Sequence, residues 1–185
     1  MFAAPPVIET KVLVDINAAF GIQDRESEWA KLLFGRPNTR SFLEGPSFDK
    51  DGNLWLVDVA WGRLFSVSPT GDIEVACQYD GEPNGLVFHR DGFGVIADHY
   101  HGLMRLDPAD GSVEPLLVRN ANERFRGTND LTYASNGDLY FTDQGTSDLI
   151  DRSGRVFCLR ADGALDLICE HLPSPNGLAL NLEEN

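Results

Sequence analysis

From residue 42 onward, short apolar runs are separated by polar clusters built on Gly, Asp and Asn. The runs "NLWLVD", "FGVIAD" and "DLYFTD" are bounded on the N-terminal side by Asp51-Gly52, Asp91-Gly92 and Asn136-Gly137. Apolar segments of this length between turn pairs that tolerate positive φ predict β-hairpins. Each is followed by another run, "GRLFSVSP", "HGLMRLDP" or "GRVFCLRA", and then by a turn at Thr70-Gly71, Asp110-Gly111 or Asp162-Gly163. A last run, "DIEVACQY", "SVEPLLVR" or "ALDLICEH", completes each unit.

These units are internal repeats. They begin at "EGPSFDKDGNLWLVD", "NGLVFHRDGFGVIAD" and "NDLTYASNGDLYFTD", and "NGLALNLEEN" starts again at Asn176. The opening residues Glu44, Asn84, Asn129 and Asn176 are 40, 45 and 47 residues apart. Gly52, Gly92 and Gly137 hold one offset from them, and Asp58, Asp98 and Asp143 hold another. Four strands in about 40–50 residues make one propeller blade. A β-sandwich would not keep such a register. The expected fold is therefore all-β, an incomplete propeller of about three blades plus the start of a fourth, over residues 42–185.

Residues 1–41 form a separate segment. "KVLVDINAAF" is expected to supply an outer strand, and "DRESEWAKLLFG" places Trp29, Leu32 and Leu33 at helical spacing. Asp24 is the expected N-cap of that helix and Gly35 its end, and the helix is expected to face the core or to cap the fold.

Composition narrows the function classes. A formal net charge of -14 argues against a nucleic-acid surface, which needs clustered Lys and Arg. No apolar run is long enough to span a bilayer, and the N-terminus lacks the pattern of a signal peptide. Cys77, Cys158 and Cys169 lie in apolar runs without CxxC spacing, so buried reduced thiols and a cytoplasmic location are expected.

The chemistry is expected at the unit openings. Innermost strands of a propeller line its channel, so Glu44, Asn84, Asn129 and Asn176 should converge near the axis. One carboxylate and three amides are hard oxygen donors, suited to Ca²⁺ before Mg²⁺. Asp130 could add charge, but its place on the strand should turn it elsewhere. The recurrent Asp58, Asp98 and Asp143 are expected to cap turns, and "QGTSDLIDRSG" after Asp143 could border the channel mouth. His99 and His101, two apart on one strand face, are a weak zinc signal; His89 and His171 are expected at the surface.

"EGPSFDKDGNLWLVD", "GTNDLTYASNGDLYFTD" and "SPNGLALN" together resemble the SMP-30/gluconolactonase (regucalcin-like) family. The resemblance implies a six-bladed β-propeller with a divalent cation, usually Ca²⁺ though Mg²⁺ or Zn²⁺ would also serve, and hydrolysis of a small-molecule lactone. It implies Glu44, Asn129 and Asn176 as metal ligands. It also implies a catalytic aspartate in the blade after Asn176, beyond Asn185, which leaves the catalytic group unassigned within this sequence. The family's substrate-binding arginine falls at Gly127, so Arg126 beside it and Asn84 are the candidates for substrate contact. A non-catalytic binding propeller and a strictosidine-synthase-like or organophosphatase-type enzyme of the same fold are the alternatives.

Overall fold

The computed structural model describes residues 5–184. Three four-stranded antiparallel sheets follow one another along the chain, each in simple sequential order. The first blade is β1 (Leu43–Phe48), β2 (Leu54–Asp58), β3 (Arg63–Val67) and β4 (Ile73–Gln78). The second is β5 (Pro83–Phe88), β6 (Gly94–Asp98), β7 (Gly102–Asp107) and β8 (Ser112–Leu117). The third is β9 (Thr128–Tyr133), β10 (Leu139–Asp143), β11 (Gly154–Leu159) and β12 (Leu165–Leu172). The turn glycines at 52, 92 and 137, and those at 71, 111 and 163, all have positive φ. That is the conformation their Asp-Gly, Asn-Gly and Thr-Gly turns require.

Sheets pack face to face through two apolar clusters. Trp55, Val57 and Leu64 of the first blade meet Leu86, Ile96, Met104 and Leu106 of the second. Val95, Ala97 and Leu103, on the opposite face of the second blade, meet Leu131, Leu139, Phe141 and Phe157 of the third. The period of two along β6 thus splits one strand between two interfaces. Both middle strands of each blade are largely buried, whereas the outer strands β4, β8 and β12 contain no buried residue and have half or more of their residues exposed. The inner strands β1, β5 and β9 lie side by side around the axis.

The N-terminal segment departs from expectation. Residues 11–15 form no strand; Asp15 instead accepts from the Ala18 amide at 3.0 Å and caps a single-turn helix, α1 (Ile16–Ala19). The outer edge of the first blade is its own β4. Helix α2 (Glu28–Phe34) starts later than expected: Ser27, not Asp24, is its N-cap, accepting from the Ala30 amide. The reason is a two-residue pairing of Arg25–Glu26 with Asn38–Thr39, which keeps the preceding chain extended. Gly35 ends the helix in the left-handed conformation, as expected.

The segment from Asn176 makes no strand. It lies along the third blade, where Thr142 donates to the Asn176 carbonyl at 2.9 Å and the Leu178 amide donates to Asp130. An opening strand needs a second strand to form its ladder, and none is present among the described residues. Two cysteines also differ from expectation: Cys158 is buried, but Cys77 is only partly so and Cys169 is exposed on the outermost strand.

Candidate functional site

Each inner strand is irregular where its blade opens. The ladder slips between Glu44 and Ser47 in β1, between Pro83 and Gly85 in β5, and between Thr128 and Leu131 in β9. A bulge re-aims the side chain at the slip, and here it does so at Glu44, Asn84 and Asn129. The residue after the opening position sets how closely blades approach. A Cβ on Gly45 would lie 2.6 Å from the Asn84 carbonyl oxygen, and one on Gly85 would lie 2.8 Å from that of Asn129.

Glu44, Asn84, Asn129 and Asn176 are brought together. All four line a cleft of about 630 Å³ at one end of the blades. All four also line a narrower cavity of about 310 Å³ running between the inner strands, where Asp130 joins them. The opening residues are therefore the ring between the cleft and the channel beneath it. Gln144, Thr146 and Ser147, from the insertion after Asp143, border the cleft as expected.

The ring is organised by hydrogen bonds. Asn129 is buried, and its amide nitrogen donates to Gln144 Oε1 at 2.6 Å. Gln144 in turn donates to Ser174 Oγ at 2.7 Å, and the Ser174 amide donates to Ser147 Oγ. With its nitrogen committed, Asn129 is left with its carbonyl oxygen to offer the cleft. Asp130 accepts from the amides of Leu131 and Leu178, holding the segment of Asn176 beside β9.

Charge is concentrated here without a basic counterpart. Burial, and secondarily the nearby Asp130 carboxylate, raises the Glu44 carboxyl above its ordinary value. Glu82, also lining the cleft, is raised by burial, partly offset by a hydrogen bond from Tyr100. Among the described residues no Lys or Arg lines either cavity. Acids held at raised pKa beside amide oxygens fit an oxygen-coordinated cation. No three His, Cys, Asp or Glu side chains among the described residues are close enough to share a metal ion, and the all-oxygen donors of the ring suit Zn²⁺ poorly.

His99 and His101 do not share a strand face; they sit in the turn between β6 and β7. His101 bonds the Asp80 carbonyl. His99 lines the cleft, half-buried, with its ring against Gly127: a Cβ there would fall 2.3 Å from the imidazole. Burial lowers the His99 pKa, with the Asp98 and Asp143 charges opposing, so the ring is held toward its neutral form. Arg126 is turned away. Its guanidinium bonds the Ser153 carbonyl and Glu123, and it does not line the cleft. His171 is exposed as expected, whereas His89 is largely covered and stacks on Phe93.

The recurrent aspartates are structural and fully buried. Asp98 accepts from the amides of Tyr100 and His101 and so caps the turn that carries His99. Asp143 accepts from the amides of Arg126 and Gly127, just before Thr128 and Asn129. Asp58 accepts from the amide of Phe42, just before Glu44. Each therefore fixes backbone next to the site without touching the cleft.

The opposite wall of the cleft was not foreseen. Trp29, Leu32, Leu33 and Phe34 of α2, with Phe42, line it. Leu32, Leu33 and Phe34 are 79%, 62% and 52% exposed, so the apolar face of α2 faces the cleft rather than the core. Helical spacing identified the face, but only the packing of the segment over the first blade decides what it meets. Glu82 was likewise missed, and His99 was singled out only as a weak zinc signal, since each joins the cleft only when blades stack.

Comparison with known proteins bears on the family and the fold. A gluconolactonase from Zymomonas mobilis is 31% identical over 166 residues, covering 76% of this chain and 46% of that protein. A strictosidine synthase-like protein of Arabidopsis thaliana is 33% identical, covering 73% of this chain and 41% of the relative. The structure of a gluconolactonase from Xanthomonas campestris superposes with a TM-score of 0.70 at 27% identity, covering 78% of this chain and 52% of that one. The chain thus spans about half the length of the relatives it matches. With three blades in repeat register and the match of the family's model running over residues 42–185, the chain belongs to the SMP-30/gluconolactonase/LRE-like family.

Proposed function

We propose that this site serves a calcium-dependent lactone hydrolase, with Glu44, Asn129 and Asn176 as the ligands of the cation and Asn84 placed to contact substrate. The observation that carries the proposal is the ring itself: four oxygen-bearing side chains shared by cleft and channel, with no Lys or Arg lining either among the described residues. When bound, the cation would supply Lewis-acid polarisation of an ester carbonyl. The protein's own residues supply the rest. Gln144 fixes the amide of Asn129, so the carbonyl oxygen is presented without a search over rotamers. The neutral His99 ring accepts a proton from water as that water attacks the carbonyl carbon; the ring C–O bond then breaks, and the leaving alkoxide takes the proton back to give the hydroxy acid.

The test is hydrolysis of simple lactones followed by acid release, with calcium added or chelated. Activity that depends on calcium and falls about 10²–10⁴-fold in His99→Gln supports the assignment. Because the His99 pKa is lowered, its neutral form persists below the ordinary histidine range, so the acid limb of the rate profile lies on that side. Hydrolysis indifferent to chelator, or a profile unchanged in His99→Gln, would sink it.

A further inference from the structure

We infer that the α2 wall is the binding surface for an apolar chain carried by the substrate, so that the substrate class is alkyl- or aryl-substituted lactones rather than polyhydroxylated sugar lactones. The inference rests on the lactonase assignment above and narrows it. Two opposed surfaces share one cleft: the oxygen-bearing ring on the blade side, and the face of Trp29, Leu33 and Phe42 on the other. Trp29, Phe34 and Phe42 pack ring against ring, with centroids 4.9 to 5.6 Å apart. They form a built surface, pinned to the first blade where the Phe42 amide donates to buried Asp58.

A molecule with a polar head and an apolar tail matches both surfaces at once. The cavity is in the size range of sites that hold drug-sized ligands, well beyond a bare lactone ring. A sugar lactone would instead need hydrogen-bond partners around its whole ring. The wall offers it carbon, and Arg126, the nearest guanidinium in sequence, is committed to Ser153 and Glu123. Leu32 and Leu33 are exposed in a wall that otherwise buries little of their surface, so a ligand tail gains by covering them.

The experiment measures binding and hydrolysis of γ-lactones with progressively longer alkyl chains, alongside glucono-δ-lactone, in the whole chain with calcium present. Binding is read by calorimetry, independently of turnover. The expected dissociation constant falls about threefold to fourfold per added methylene over the first several carbons. In the double variant Leu32→Ser/Leu33→Ser that slope flattens while the melting temperature is unchanged, since both side chains are already exposed. An affinity independent of chain length, or glucono-δ-lactone bound more tightly than the alkyl series, overturns the inference. So does a change of oligomeric state in the double variant without a change of slope, which would make the wall a contact between copies. A chain-length slope without hydrolysis would remove the lactonase assignment and leave the apolar subsite standing; hydrolysis without the slope would do the reverse.

Discussion

Glu44 shows how a single side chain records the purpose of its surroundings. Its carboxyl is raised by burial first and by Asp130 second, so the folded state holds that proton more tightly than the unfolded chain does. The sign follows: this group's contribution to stability is full at low pH and is lost as pH rises through the raised value. A bound cation reverses the penalty. Calcium should therefore raise the melting temperature at pH 7.5 and have little effect near pH 4.5. Glu44→Gln should keep or slightly raise the calcium-free melting temperature and lose the increment, which at a hundredfold excess over Kd is about 2.7 kcal/mol. A calcium increment that survives Glu44→Gln places the ion elsewhere. The recurrent aspartates make the complementary case. Buried Asp143 faces Arg155 at 2.6 Å, and Asp58 faces Arg63 likewise. In the second blade Gly102 pairs opposite Asp98, where Arg63 and Arg155 pair opposite Asp58 and Asp143, and the Tyr79 hydroxyl donates to Asp98 at 2.7 Å instead. Chemical denaturation should show Arg155→Ala costing about 3–5 kcal/mol, because it leaves a buried carboxylate unpaired. Tyr79→Phe should cost about 1–3 kcal/mol, the penalty of an unmade hydrogen bond. The sequence pattern named none of these partners: Arg63 and Arg155 stand in "GRLF" and "GRVF" without marking what they face, and Tyr79 reaches Asp98 from the preceding blade edge rather than from a fixed offset.

At the level of elements, strands were legible and their irregularities were not. Turn glycines and period-two runs located all twelve blade strands, since hairpin chemistry is local. The bulges at Glu44, Asn84 and Asn129 are not local: they arise where inner strands crowd, and nothing in the runs themselves marks them. Gly85 is the point where this crowding is testable. Its φ is unremarkable, but an added Cβ would meet the Asn129 carbonyl oxygen at 2.8 Å and the Asp130 Cα at 2.9 Å, both backbone-held atoms. Gly85→Ala should therefore push β5 from β9, with an overpacking cost of about 1–3 kcal/mol. The same displacement separates Asn84 from Asn129, so calcium affinity should fall together with stability. Gly71→Ala would be the control, because space around that glycine is open and the only strain is its φ of 91° in a remote turn. Stability lost with calcium affinity retained in Gly85→Ala would mean that the ring does not depend on blade spacing. Helix α2 was legible but what its apolar face meets was not, for a related reason: amphipathicity predicts that a face is covered, but not whether core or ligand covers it.

Across the whole molecule, protection from solvent is layered around the second blade. Strand β6 alternates its side chains between both clusters, and Val95, Ile96 and Ala97 are fully buried. Strand β12 lies at the opposite extreme, with Leu167 and Ile168 about half exposed. Native-state hydrogen exchange should therefore find the slowest amides in β6, opening only with global unfolding, and fast local opening in β12. The same measurement distinguishes the two ways in which calcium could act on a chain of net charge -14. Screening of the overall charge would relieve repulsion everywhere and slow exchange throughout the blades. Occupation of one ring of ligands would act where Glu44, Asn129 and Asn176 are held, on β1, β9 and the segment from Asn176, and reach the outer strands little. The ring geometry predicts the second pattern, with magnesium at equal ionic strength reproducing less of it because its octahedral demand fits a ring of mixed donors less well. Uniform slowing, equal for both ions, would reduce calcium to a counterion and remove the metal from the site.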